Sequence, residues 1–287
     1  MPRQSDRVYI ITLEAHLLKF HLILILSFFT MIGPASALAP GNCGGTEPCK
    51  VVGGEYRIEL PSDNDIRGVY VFFHGFKSSA ERQMQQRSLV DTTLSHHLAY
   101  VAVDGIAGNW SFPNSPRPGR DEKTFVSNVL DDLRRRYGFA PEKTIIGGFS
   151  IGASMAWYTA CQQGGRATAM LTFSGVFWDP LPKVEDCVAD VPSIIHFHGT
   201  ADRTFPLAGR SLGGAFHQGN AYSSMAILRS RASCDVQDTR TITLDGIQCD
   251  DVPGCIGGHN IMCVHGGGHE ARAAMLDAGL TAIGFPR

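Results

Sequence analysis

The stretch KTIIGGFSIGASMAW, residues 143–157, passes from a β-branched run, Thr144 to Ile146, through Gly148-Phe149-Ser150-Ile151-Gly152 into residues that favour helix. A chain that changes from strand to helix within two residues needs a sharp turn, and glycines on either side of Ser150 admit backbone that a Cβ would block. Ser150 is then either a nucleophile held on a strained elbow or an ordinary serine in a glycine-rich connection. The rest of the chain decides between them.

Outward from this stretch, apolar β-rich runs alternate with helical patterns over residues 50–287, which implies βαβ units and a mostly parallel central sheet with helices on both faces. Candidate strands are residues 54–60, 69–74, 99–104, 144–149, 170–175, 193–198, 239–244 and 260–265. The first two are expected to pair antiparallel, because only PSDNDIRG separates them. Phe125, Val129, Leu130 and Leu133 recur at helical spacing within residues 121–137, and a second helix is expected over 151–163, directly after the serine. Between them GIAGNWSFPNSPRPGR, residues 105–120, is too rich in proline and glycine for regular structure and forms a long loop.

Of the 287 residues, 44% are apolar, enough for one sizeable core, and Lys+Arg 25 against Asp+Glu 27 gives a formal charge of −2. Such a balance offers no electrostatic footprint for nucleic acid. Arg3, Arg7 and Lys19 precede the apolar run FHLILILSFFTMIG and the small residues ASALA, which reads as a secretory signal over residues 1–39, cut after Ala37 or Ala39. The expected catalytic part is a single domain over 40–287, secreted or periplasmic, without stable membrane insertion after cleavage. All eight cysteines lie downstream of the signal, and an even count in an exported chain implies up to four disulfides. Cys43 with Cys49 closes a small loop, Cys234, Cys249, Cys255 and Cys263 staple the last third, and Cys161 with Cys187 follows by elimination. A zinc reading of Cys255, His259, Cys263 and His265 lacks a paired CxxC knuckle, so no metal is expected.

Ligands of open α/β sheets gather at the carboxyl ends of the strands, where the informative residues are His74-Gly75-Phe76, Ser150, Asp202 and His269. A serine hydroxyl becomes nucleophilic when an imidazole takes its proton, and the imidazole needs a carboxylate to fix its tautomer. The chain order Ser150, Asp202, His269 supplies those parts in the α/β-hydrolase order. The amide of Ile151, opening a helix, and an amide near Phe76 are the expected oxyanion donors. His265 is the rival base, but it continues a strand whereas His269 follows Gly266-Gly267-Gly268. Asp179, Glu185 and Asp190 are rival acids in a different connection. His74 reads as a turn-stabilising residue, and His196 with His198 as a satisfied pair on one strand face.

FFHGFKSSA (72–80), DEKTFVSNVLDDLRRRYGFAPEKTIIGGFSIGASMAW (121–157), HFHGTADRTFPLAG (196–209) and VHGGGHE (264–270) resemble the secreted esterase family of polyhydroxybutyrate depolymerases and feruloyl esterases of the LpqC type. The resemblance implies an α/β-hydrolase fold, the triad Ser150, Asp202 and His269, a small or oligomeric ester substrate and no cofactor. Where family members commonly carry asparagine after the serine, this chain has Ile151, and Glu270-Ala271-Arg272 stand where a tryptophan and proline usually follow the last histidine. Trp110 and Phe112 on the long loop, with Trp178 and Phe205 beside strand ends, are the expected aromatic wall for a phenolic acyl group such as ferulate. The alternatives are hydrolysis of hydroxyalkanoate oligomers and, from another class, an exported binding protein without turnover.

Overall fold

The computed structural model describes residues 43–287 apart from Thr46, Asn64, Pro118 and Ala189. The expected export signal lies outside the described residues. In chain order the first strands are β1 (Cys49–Val51), β2 (Gly54–Glu59), β3 (Gly68–Phe73), β4 (Leu98–Val103), β5 (Thr144–Phe149), β6 (Ala169–Phe173) and β7 (Trp178–Asp179). They are followed by β8 (Ser193–Gly199), β9 (Arg210–Ser211), β10 (His217–Gln218), β11 (Arg240–Leu244), β12 (Ile247–Cys255) and β13 (Gly258–His265). The helices are α1 (Ala80–Met84), α2 (Arg87–Ser95), α3 (Glu122–Tyr137), α4 (Ile151–Gln163), α5 (Ala221–Arg231) and α6 (Ala273–Ala282).

Among the described residues ten strands form one sheet in the order β1-β2-β4-β3-β5-β6-β8-β13-β12-β11. Its centre, β4 through β13, is parallel, and the antiparallel strands β1, β2, β12 and β11 lie at the two margins. Every residue of β3, GVYVFF, is buried, as expected of a parallel strand covered on both faces. Alternation divides it between two cores: Val69, Val71 and Phe73 pack with Phe125, Val129 and Met155, while Tyr70 and Phe72 pack with Leu89, Val90, Met275 and Leu276. Helices α3 and α4 thus cover one face and α2 and α6 the other.

The expected pairing of β2 with β3 does not occur. β2 pairs antiparallel with β4, from Tyr56↔Val103 to Glu59↔Tyr100, and β3 runs parallel between β4 and β5. The burial patterns give the reason. β2 alternates between half-buried and buried residues, which suits a sheet margin, whereas fully apolar β3 requires neighbours on both sides.

Helix α3 begins where the sequence indicates: the Asp121 carboxylate accepts the amide of Thr124 at 3.1 Å, and Gly138 ends the helix at φ 73°, a left-handed C-cap that glycine adopts without strain. A separate three-stranded sheet, β7-β10-β9, lies outside the sequence-based expectations because its strands have two residues each. Four disulfides join Cys43–Cys49, Cys161–Cys187, Cys234–Cys255 and Cys249–Cys263. Cys255 and Cys263 are therefore half-cystines and offer no thiolate to a metal. Among the described residues no helix is long and apolar enough to cross a membrane.

Candidate active site

Ser150 occupies the junction of β5 and α4 at φ 59°, ψ −127°, a region that costs a residue with a side chain on the order of 1–3 kcal/mol. The surroundings hold it there. A Cβ on Gly148 would come within 2.4 Å of the Gly152 carbonyl oxygen, and one on Gly152 within 2.0 Å of that of Phe73. Gly175, which follows β6, is equally constrained, since its Cβ would meet the Ser150 carbonyl oxygen at 2.0 Å. The Ser150 amide donates to the carbonyl of Phe173 at 3.0 Å. Gly148 and Gly152 were legible as elbow glycines; the role of Gly175 is visible only once β6 lies beside β5.

Asp202 follows β8 and is buried, and its two oxygens have different work. Oδ1 accepts the amides of Thr204 and Phe205, each at 2.8 Å, closing a tight turn, while Oδ2 accepts His269 Nδ1–H at 2.7 Å. Burial alone would raise the Asp202 pKa, but the hydrogen bonds from His269 and from the amides outweigh it, so the carboxyl lies below its ordinary value. The loops after β8 and β13 are laced together, Thr200 N–H to His265 O at 2.8 Å and Ala201 N–H to Gly267 O at 3.0 Å. Gly199 permits that approach: its Cβ would sit 2.3 Å from the Gly267 oxygen.

His269, and not His265, holds the carboxylate. His265 Nδ1 instead accepts the Gly267 amide at 3.1 Å, and burial pushes its pKa down. Asp179 lies on β7, opposite His217, in a different part of the rim. The His269 ring lies 4.6 Å from that of Phe149, the residue before Ser150, so the imidazole packs beside the elbow. With Nδ1–H committed to Asp202, the lone pair of the neutral ring is on Nε2.

His74 is buried and bonded to backbone on both nitrogens. Nε2 accepts the Gly105 amide at 3.0 Å, so Nδ1 carries the proton and donates to Gly75 O at 2.9 Å. The HG turn is thereby fixed to the long loop, and Lys77 N–H adds a bond to Gly108 O at 2.8 Å. Among the described residues the amides of Phe76 and Ile151 have no carbonyl acceptor, as expected of a turn amide and a first-turn helix amide left for a ligand.

A cleft of about 390 Å³ opens over Ser150, with Phe76, Ile151, Trp178 and Phe205 in its walls. Trp110 and Phe112, expected in the same wall, are not part of it. Trp110 is buried, with its indole N–H donating to His74 O at 2.8 Å and its ring against Phe73. Phe112 stacks on Tyr158 at 4.9 Å, behind Trp178. The loop folds down onto α4 and spends its aromatic side chains on core, leaving Asn109, Pro116 and Arg117 to face the cleft. Composition did not distinguish those residues from other loop residues.

A polar chain runs under the site. The Phe205 carbonyl can only accept, so His198 Nε2 carries a proton toward it at 2.6 Å; His198 Nδ1 then accepts His196 Nε2–H at 3.0 Å, and His196 Nδ1 accepts the Thr172 hydroxyl at 2.9 Å. Burial pushes both imidazoles below their ordinary pKa. His196 and His198 are the satisfied pair that their spacing implies.

The fold is that of the α/β hydrolases. The family model described as Phospholipase/Carboxylesterase matches residues 123–236, a span that includes Ser150 and Asp202 and stops before His269. Fold and matched segment support a serine hydrolase acting on ester bonds. Among solved structures the chain is similar to the acetyl xylan esterase from Aspergillus awamori, with a TM-score of 0.63 and 14% identity over 80% of this chain and 94% of that one. It is also similar to the Bacillus cereus carboxylesterase, with a TM-score of 0.51 and 14% identity over 79% and 92%. The Thermogutta terrifontis esterase 2 phosphorylated by paraoxon gives a TM-score of 0.53 and 17% identity over 83% and 94%. At such identities these likenesses concern the fold. No curated protein matches by sequence.

Proposed function

We propose that the protein is an exported serine carboxylesterase that hydrolyses small carboxylic esters through an acyl-enzyme on Ser150. The observation that carries this reading is the 2.7 Å bond from His269 Nδ1 to Asp202 Oδ2 beside a serine held at φ 59°. Ser150 Oγ attacks the ester carbonyl carbon while His269 Nε2 takes its proton. The bond to the leaving alkoxide then breaks as His269 returns that proton. Water, deprotonated by the same imidazole, releases the acid and restores Ser150. The amides of Ile151 and Phe76 hold the oxyanion, and Asp202 stabilises the imidazolium. Each step draws on groups of the chain itself, so the proposal includes no cofactor.

A phosphonate probe directed at serine, read by intact mass, tests it. The expected result is one adduct on the wild type and none on folded Ser150→Ala, with turnover of a simple ester falling by roughly 10⁴-fold or more in the variant. Labelling of both proteins, or of neither despite native folding, contradicts the mechanism; labelling of neither favours an exported binding protein on the hydrolase fold.

Trp178 and Phe205 in the cleft wall support a phenolic acyl group such as ferulate. Turnover of methyl ferulate is expected to exceed that of the methyl ester of a hydroxybutyrate dimer, and the opposite order replaces this assignment with an oligomer hydrolase. Export rests on the signal-like segment and is supported by the four disulfides. Sequencing the mature amino terminus is expected to begin at Leu38 or Pro40.

A further inference from the structure

The charges in the wall of the cleft differ in sign from the balance of the chain as a whole. The formal charge is −2, yet the cleft over Ser150 is lined by two arginines, Arg117 and Arg210, and by no carboxylate. Elsewhere arginines meet acids: Arg87 reaches Glu59 at 2.7 Å, Arg120 reaches Glu122 at 2.7 Å, and Arg136 reaches Asp132 at 2.8 Å. Among the described residues Arg117 and Arg210 have no such partner.

Both arginines are exposed, and Arg210 is the one anchored by a hydrogen bond. Arg210 stands on the small sheet, where its Nε donates to the Gln218 side chain at 3.1 Å, and Gln218 is itself buried in the cleft wall. One of five donors is used, which leaves the Nη fork for a ligand. Arg117 also lines the cleft, 6.0 Å from the centroid of the Phe76 ring, at the limit of cation–π range. Lys77 lies 5.4 Å from the same ring, adding positive charge at that rim. The same cleft is lined by the apolar and aromatic side chains of Trp178, Phe205 and Leu212. Being exposed, the two guanidinium groups attract an anion through a field that water and salt partly screen.

We propose that Arg117 and Arg210 select esters that carry a free carboxylate on the part of the substrate away from the reacting carbonyl. This rests on the reading of Ser150 as the nucleophile. The cleft then binds a monoester of a dicarboxylic acid, or the ester of an alcohol that bears an acid group. The carboxylate accepts from the Nη groups while the apolar part lies against Trp178 and Phe205.

Two matched pairs of esters test the proposal, each pair differing in one charge. One pair is para-nitrophenyl hemiadipate against para-nitrophenyl isooctanoate, with the charge on the acyl side. The other is the butyrate ester of para-hydroxybenzoate against that of para-cresol, with the charge on the alcohol side. Rates are corrected for spontaneous hydrolysis, and the readout is the ratio of kcat/KM, charged over neutral, in each protein. A ratio taken within one protein is independent of its folded fraction, and intrinsic reactivity cancels when proteins are compared.

For at least one pair the ratio is expected to fall about tenfold in Arg117→Gln/Arg210→Gln, mainly through KM. It is expected to be largely kept in Arg117→Lys/Arg210→Lys and to decline with added salt in the wild type. A ratio that is the same in all three proteins for both pairs overturns the proposal. Failure of the Ser150 reading has a different signature, absence of phosphonate labelling in the wild type, so the two are told apart.

Discussion

Gly152 carries a constraint that no other residue type satisfies. A Cβ there would lie 2.0 Å from the Phe73 oxygen and 2.4 Å from the His74 oxygen, both on the turn that presents the Phe76 amide. Neither atom is the movable end of a side chain, so Gly152→Ala must displace the HG turn or the start of α4. Destabilisation of about 1–3 kcal/mol is expected, with loss of esterase activity beyond what the melting temperature accounts for. Gly165→Ala is the control, because a Cβ there meets nothing within 4 Å, and it should change stability by no more than about 0.5 kcal/mol. Equal effects of the two substitutions in thermal melts would contradict this account. At this scale the elbow and the Asp202–His269 pair were legible because serine, aspartate and histidine each follow an expected strand in the order that a nucleophile, its acid and its base require. The cleft wall was not. Trp110 and Phe112 read as part of a substrate wall on the long loop, and only the bond from the Trp110 indole to His74 O and the stacking of Phe112 on Tyr158 reveal that the loop turns them inward. Arg117 and Arg210 gave no signal in sequence, since their neighbours in space are remote in the chain.

Strand β8 carries two buried imidazoles under the site, and both are neutral for the reasons of burial and tautomer given above. Their folded pKa values lie below the ordinary 6.5, so the unfolded chain takes up protons that the fold refuses. The sign follows: the stabilisation is complete above about pH 6.5 and is lost as pH falls below it, by up to about 1.4 kcal/mol per pH unit for each proton. Burial also depresses His74 and His265, which act in the same direction, while Asp202, lowered from 3.8, contributes only in stronger acid. Melting temperatures measured from pH 8 to 5 are expected to fall steeply in the wild type. His196→Leu should be less stable at pH 8, by about 1–3 kcal/mol for the partners it orphans, and shallower in its dependence. A parallel curve for the variant would remove His196 from the explanation. Among elements, β5, α3 and α4 were legible almost to the residue because strand run, caps and helical spacing agree. β12 is absent from the expected strands; it accommodates Pro253 and Gly254 in an irregularity between Val252 and Cys255, the usual place for proline within a sheet. The neighbour of β2 was misread because loop length speaks to which strands can pair, whereas burial on both faces of β3 decides which do.

Across the molecule the margin formed by β11 and β12, where it meets β13, is where covalent bonds supplement packing. β11 is largely exposed, and a two-stranded ribbon of that kind is marginal without further support. Cys249–Cys263 joins β12 to β13 at directly paired positions, and Cys234–Cys255 ties the end of β12 to the segment after α5. β13 leads into the loop that carries His269, so the ribbon buttresses one partner of the Asp202–His269 bond. Closing a loop of 14 residues stabilises by about 3 kcal/mol in the chain-entropy account, roughly 6–12 °C in a domain of this size. Cys249→Ala/Cys263→Ala is expected to melt lower by that amount and to lose activity before its global transition, because the β13 end loosens first. Phosphonate labelling of Ser150 followed alongside the melt makes the order visible, the labelling rate falling at temperatures where far-UV ellipticity is still native. Reductant added to the wild type should reproduce the effect and add that of the other three bridges. Eight free thiols in exported protein, or a melt unmoved by reductant, would show that noncovalent packing alone holds this margin. The support of His269 would then have to come from the backbone bonds between the loops after β8 and β13.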